Sequence, residues 1–305
     1  MAINNPSLGF GTAGLGDIGY QSVTHALQAG FRTFDTAEEN DYWYDQQQVG
    51  EALESFFAPW DEKDEDNHNN VDDDNDNEDT NYLTTTSTSR YLEQDSICQR
   101  ENLKISTKIP PWELTSFSHI RQRAHESRET LLGFCNALGG DEAPYPLDVY
   151  YIHAPKCWDG WHERCNENTP PLLELRQAWQ AMEAVVGVDG NAQRIGLSNI
   201  SPAELLDIIQ FVMERKEMGK DDVVYPPPRI PDVVQAYADP LHPAVELREL
   251  CHEYGIEFVS YSTLGTQHRM GRNNPVLGNG EIQGIAHRFG RSAAEVVLSW
   301  ALQRG

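Results

Sequence analysis

Short apolar runs alternate with helix-patterned stretches along this chain, and three of the runs end in a polar residue able to do proton chemistry. GFRTFDTA carries Asp35, LKISTKIP carries Lys108 and LDVYYIHAP carries His153. Each run has the length and the β-branched or aromatic content of a buried strand. The alternation predicts strand 32–35 before helix 46–58, strand 103–107 before helix 116–138, and strand 147–152 before helix 172–187. It continues with strand 193–197 before helix 202–216, strand 232–236 before helix 243–254, and strand 256–261 before helices 279–289 and 292–303. Ser201-Pro202 with Glu204, and Ser292 with Glu295, supply start signals for two of these helices. Successive βα units build a parallel sheet. The fold class is therefore α/β, a TIM-type (β/α)8 barrel, incomplete because six units are counted where eight close a barrel. The carboxyl ends of barrel strands build the active site, so an acid, a lysine and a histidine at three such ends converge on one pocket.

The 305 residues are read as a single domain with one interruption. Residues 61–79 are nearly all acidic or amide, and a Thr/Ser tract follows over 80–90. Neither can bury enough apolar surface to offset its ordering entropy, so 60–98 is expected to be a disordered acidic and Ser/Thr insert. Asp72, Asp74 and Asp76 have the spacing of a calcium loop, but Asn77 takes the glycine position and Leu83 the place of the bidentate Glu. A solvated acidic loop fits better. The net charge of −25 argues against a nucleic-acid partner. No run has the ~18 apolar residues of a membrane span, and the first residues lack a signal-peptide pattern, so a cytoplasmic protein is expected. The five cysteines, Cys98, Cys135, Cys157, Cys165 and Cys251, have no CxxC spacing and are expected to be reduced thiols.

Gly9-Phe-Gly11-Thr-Ala-Gly14 matches GxGxxG, with Asp35 further along as a dinucleotide fingerprint requires. No strand is evident before it, and Gly16 and Gly19 interrupt the helix that should follow. It reads as a glycine-rich turn, one that can still lie near a cofactor. Lys108 alone could be a lysine snorkelling at a barrel rim. Paired with Asp35, it would instead lower the pKa of a nearby tyrosine, since a free phenol near 10 is a poor proton donor at neutral pH. Tyr42, Trp43 and Tyr44 lie just after Asp35. Other strand ends are polar too: Ser198-Asn199, Gln235 and Tyr261-Ser262. Amides, a hydroxyl and an aromatic ring can hold and stack a planar heterocycle carrying a carboxamide. Cys157 and Cys165 flank Trp158, Trp161 and His162 in a spacing unlike a strong zinc signature. No metal is expected there, and the tryptophans are read as walls of a substrate pocket.

The segments LGFGTAGLG, GFRTFDTA, YDQQQVGEAL, LKISTKIP, LDVYYIHAP, RIGLSNIS, VVQAYADPLHP, CHEYGIEFVSYSTLGTQ and AEVVLSWALQRG, in this order, resemble the aldo-keto reductases. The resemblance covers nearly everything outside the acidic insert. It implies a (β/α)8 barrel that binds NADPH without a Rossmann domain, and an Asp/Tyr/Lys/His tetrad. Asp35, Lys108 and His153 match that tetrad directly. Ser198, Asn199 and Gln235 match the positions that hold the nicotinamide carboxamide, and Tyr261 the ring that stacks on it. Gly11, Thr12, Ser262 and Leu264 complete the implied cofactor-binding set. The family's tyrosine lies five residues after the Asp, where this chain has Asn40, and six before the Val of the VG pair, where it has Trp43. An insertion has shifted this loop. Tyr44 is assigned because it adjoins the helix start, with Tyr42 second. The sequence ends at WALQRG, before the family's last strand and its phosphate-clamping arginine, which implies a C-terminal truncation. The leading expectation is an NADPH-dependent reductase of a small aldehyde or ketone. The alternatives are a non-catalytic barrel-derived protein and a lyase or aldolase using Lys108 as a Schiff-base nucleophile.

Overall fold

Seven strands pair in sequence order, β1 to β7, every neighbouring pair parallel. They are β1 Phe10–Gly11, β2 Thr33–Asp35, β3 Lys104–Ile109, β4 Leu147–Ile152, β5 Ala192–Ser198, β6 Val233–Tyr237 and β7 Glu257–Tyr261. The helices between and after them are α1 Gly19–Gln28, α2 Gln46–Phe57, α3 Phe117–Leu138, α4 Leu175–Gly187, α5 Pro202–Met218, α6 Val245–Tyr254, α7 Gly280–Phe289 and α8 Ala293–Arg304. This computed structural model describes residues 7–38, 43–57, 103–138, 145–165, 172–218, 225–266 and 274–304. The arrangement is that of a (β/α)8 barrel, with seven of its strands among the described residues. The acidic segment 60–98, its Asp72, Asp74 and Asp76, and Tyr42 lie outside them. No helix among the described residues is long and apolar enough to cross a membrane.

Strand alternation sorts the side chains into two layers. Phe34, Ile105, Ile109, Tyr150, Ile152, Ile195, Leu197 and Val234 point outward and meet Val49, Leu53, Leu131, Trp179 and Ile208 of the helices in the main core. Val149, Tyr151 and Val233, with the partly buried Val259, form a smaller apolar cluster of their own. The remaining inward positions toward the carboxyl ends are polar: Asp35, Ser106, Lys108, Ser198 and Gln235. Register keeps these ends level, since Gly11 pairs with Asp35, Asp35 with Ser106, and Ser198 with Gln235. Helix starts follow the sequence signals. Ser201 and Glu204 exchange bonds in a capping box, as do Ser292 and Glu295.

Three sequence expectations are corrected here. The count of six units misses β1 and α1. β1 has only two residues, too short to show a period, and it lies inside the glycine-rich segment read as a turn. Gly16 and Gly19 do not break a helix: Gly16 starts a short 3-10 turn and Gly19 is the first residue of α1. A Cβ on Gly19 would lie 2.9 Å from the side-chain oxygen of Gln48 on α2, the movable end of that side chain. Cysteine usage differs as well. Cys157 and Cys165 form a disulfide with Cα atoms 5.1 Å apart, whereas Cys135 and Cys251 are buried in the main core. The intervening loop folds back on itself and brings both Cβ atoms within bridging reach, which spacing alone does not reveal. The disulfide also removes the thiol argument for a cytoplasmic setting.

Gly50 on α2 sits against the backbone of α3, where an added Cβ would lie 2.1 Å from the Thr130 carbonyl oxygen. Gly284 in α7 has open space around it. Gly50→Ala is therefore expected to cost about 3 kcal/mol through forced separation of the two helices. Gly284→Ala is expected to gain up to about 1 kcal/mol from helix propensity. Urea midpoints of the two variants check this; a Gly50→Ala protein as stable as the parent would contradict the close packing.

Candidate active site

Lys108 ends up almost fully buried, at 1% exposure, because β3 turns it toward the barrel axis. A buried ammonium needs a counter-charge and hydrogen-bond acceptors. Its Nζ donates to Asp35 Oδ2 at 2.6 Å and to the Thr36 carbonyl at 2.8 Å. Asp35 Oδ1 accepts from Ser106 Oγ at 2.9 Å and from Gln235 Nε2 at 3.1 Å. One carboxylate thus links β2, β3 and β6. The Asp35 backbone carbonyl is held in turn by Thr12, whose N–H and hydroxyl both donate to it.

Tyr44 comes to the same place from the β2–α2 loop. Lys108 Nζ lies 5.3 Å from the centre of its ring, and the His153 ring meets it edge-on at 5.7 Å. His153 follows the last residue of β4 and is 7% exposed. Asp35, Tyr44, Lys108 and His153 therefore meet at the carboxyl ends of β2, β3 and β4. Tyr151, which pairs with Lys108 in register, also adjoins the Asp35–Lys108 pair but lies in the apolar cluster with Val149 and Val233.

The polar strand ends form a connected set. Asn199 Nδ2 donates to the His153 carbonyl at 2.9 Å and to Ser198 Oγ at 3.3 Å. Asn199 Oδ1 accepts from the Tyr261 hydroxyl at 2.5 Å. Burial pushes the Tyr261 phenol up to about 12, so it stays a neutral donor. Ser198 Oγ and Gln235 Oε1 are 3.5 Å apart. Asn199 and Ser262, just past β5 and β7, hold left-handed backbone conformations with φ of 54° and 53°. Such strain in non-glycine residues concentrates at functional sites. A Cβ on Gly11 would meet nothing within 4 Å. Leu264 is less central: it packs on the cluster of Val276, Ile282 and Val297.

Aromatic residues flank the His153 side. Trp161 contacts His153 edge-on at 5.0 Å, Trp158 stacks on Trp161 at 3.8 Å, and Trp112 meets Trp161 at 5.3 Å. Trp43 packs on the same cluster. The Cys157–Cys165 disulfide closes this loop, and Arg164 ties it to Glu113 at 2.7 Å.

Sequence reasoning missed two features. Ser106 is two residues before Lys108 on the same strand face, so alternation could have found it. The second is a buried carboxyl, Glu38, three residues after Asp35. Its Oε1 accepts from Tyr150 at 2.6 Å and Ser127 at 2.7 Å, and its Oε2 from Arg123 at 2.9 Å. Its partners lie 85 to 112 residues away, beyond the reach of any local pattern.

The description "Aldo/keto reductase family" belongs to the family model that matches residues 88–305. The matched part contains Lys108 and His153; Asp35 and Tyr44 precede it and join the site through their contacts. Among curated relatives, aldo-keto reductase family 1 member A1 of Homo sapiens is 26% identical over 213 residues, covering 67% of this chain and 60% of the relative. Glycerol 2-dehydrogenase (NADP(+)) of Hypocrea jecorina is 26% identical over 98% of this chain and 78% of its own length. Aldo-keto reductase family 4 member C11 of Arabidopsis thaliana is 31% identical over 52% of this chain and 45% of its own. The chain thus spans about 60% of the length of the human relative it matches.

Burial pushes the Glu38 carboxyl from 4.5 up to about 6, outweighing Arg123 and the bonds from Tyr150 and Ser127. A folded value above the unfolded one means that the protonated carboxyl stabilises the native state. That contribution is full below about 4.5 and is lost as pH rises through about 6. The stability of Glu38→Gln relative to the parent is therefore expected to improve by on the order of 2 kcal/mol between pH 4.5 and 7. Urea unfolding at both pH values measures it; a pH-independent difference would contradict this environment.

Proposed function

The chain belongs to the aldo/keto reductase family, and on that premise we propose that it reduces a small aldehyde or ketone at the Asp35, Tyr44, Lys108 and His153 site, with NADPH as the reductant. The observation that carries this reading is the buried Lys108 ammonium, held by Asp35 at 2.6 Å and set 5.3 Å from the Tyr44 ring with His153 alongside.

The residues fit a nicotinamide. Asn199 and Gln235 offer amide donors and acceptors suited to a carboxamide, Ser198 adds a hydroxyl, and Tyr261 offers a ring for stacking. Gly11, Thr12, Ser262 and Leu264 would complete the cofactor's surroundings. When bound, the nicotinamide would supply the hydride. Tyr44 would donate its phenolic proton to the carbonyl oxygen as negative charge develops there. Lys108 would stabilise the phenolate left behind, and Asp35 would keep the ammonium in place. His153 would orient the carbonyl oxygen through a hydrogen bond. The wall of Trp43, Trp112, Trp158 and Trp161 would receive an apolar or aromatic substituent.

The Schiff-base reading for Lys108 is disfavoured. A nucleophilic amine must be neutral and open to approach, whereas Lys108 is 1% exposed and donates to both a carboxylate and a carbonyl.

Tyr44→Phe is expected to lower kcat/KM for an aromatic aldehyde by about a thousandfold, the scale of a lost general acid. NADPH affinity, read from tryptophan fluorescence, should stay within about twofold, since the phenol is not among the carboxamide-holding groups. If Tyr42→Phe is the inactive variant instead, the proton donor is Tyr42; if both stay fully active, the mechanism fails.

A further inference from the structure

Tyr44 sits near one end of a loop whose two feet enter the same buried polar network. The first foot is Glu38. Its side chain is fully buried and takes three hydrogen bonds, from Tyr150 on β4 and from Ser127 and Arg123 on α3. Its backbone N–H also donates to the Lys108 carbonyl at 3.1 Å. The second foot is Gln46, the first residue of α2, which is 4% exposed. Gln46 Nε2 donates to Ser127 Oγ at 3.3 Å, and Gln46 Oε1 accepts from Thr107 Oγ1 at 3.1 Å. Ser127 therefore bridges the two feet: it donates to Glu38 and accepts from Gln46. Thr107 precedes Lys108 on β3, so the chain of bonds runs from Glu38 to the strand that carries the buried ammonium.

Thr107 and Tyr150 lie on the outward side of β3 and β4, opposite the inward-facing Lys108. Burying a carboxylate with an arginine is a poor route to stability, because desolvation consumes most of the attraction. A connected polar network does, however, fix geometry when all its members are paired. It is placed where fixing geometry matters: a proton donor carried on a loop must be held within a fraction of an ångström of its acceptor.

We propose that Glu38 is a positioning residue, which through Ser127 and Gln46 locks both feet of the Tyr44 loop and so sets the phenol against Lys108 and His153. This rests on the reading of Tyr44 as proton donor. The role belongs to orientation rather than binding, so it should appear in kcat and leave KM and cofactor affinity nearly unchanged.

Two variants test it, each carrying 3-fluorotyrosine at position 44 as a 19F NMR probe. Glu38→Gln removes the charge at nearly constant shape. Ser127→Ala removes only the bridge between the feet, and it serves if Glu38→Gln does not fold. Each variant that melts cooperatively is expected to show a broadened or split 19F line, a kcat lowered about tenfold or more, and KM and NADPH affinity within about twofold of the parent. A 19F line matching the parent's in the folded variants overturns the proposal, whatever the activity. A changed line in a protein whose Tyr44→Phe form is fully active upholds the positioning of Tyr44 and overturns its role as proton donor.

Discussion

A buried ammonium dictates the arrangement around it. Lys108 has lost nearly all contact with water, so the fold must supply both a negative charge and further acceptors. Asp35 provides the charge from β2, and the Thr36 carbonyl provides the second acceptor. The other oxygen of Asp35 then needs donors of its own, and it finds Ser106 on β3 and Gln235 on β6. Asp35 and Gln235 are 200 residues apart, and only a sheet curved into a barrel brings β6 across to β2. Such a pair contributes little net stability, since the cost of desolvating two charges offsets their attraction. Its presence is better explained by the neighbouring phenol, on which a fixed positive charge can act.

The polar end of the barrel is kept apart from the apolar parts of the fold. Val149, Tyr151 and Val233 form a small cluster between strands, while the outward faces feed the main core against the helices. The polar groups of the candidate site are thereby gathered at the carboxyl ends of the strands. One side of that end is lined by Trp158 and Trp161, on a loop closed by a disulfide and pinned by Arg164 to Glu113, and by Trp112 beside Glu113. A stapled aromatic surface loses little entropy when it meets a ligand.

Much of this was legible in the sequence because strands and their terminal residues carry local signals. The runs ending at Asp35, Lys108 and His153 show the barrel's strand ends directly, and the capping boxes at Ser201 and Ser292 mark helix starts within a residue. What was not legible lacks a local signature. β1 is two residues long, and α1 opens on a glycine that a pattern reads as a breaker. The Cys157–Cys165 bond depends on how a loop doubles back. Glu38 looks like any acid after a strand until Arg123, Ser127 and Tyr150 arrive from α3 and β4. Spacing from the VG pair puts Tyr44 ahead of Tyr42 only by its place beside the helix start; its ring contacts with Lys108 and His153 come from β3 and β4, far away in the chain.

The central claim is that the Asp35–Lys108 pair is kept for chemistry rather than for stability. The double variant Asp35→Asn/Lys108→Met tests it most directly. Asn preserves an acceptor for Ser106 and Gln235, and Met fills the volume of the lysine stem. Stability by urea unfolding and turnover of an aldehyde with NADPH would be measured on the same preparations. The account requires stability within about 1 kcal/mol of the parent, or above it, together with turnover lowered by about a thousandfold or more. A variant that loses several kcal/mol of stability while retaining turnover would contradict it.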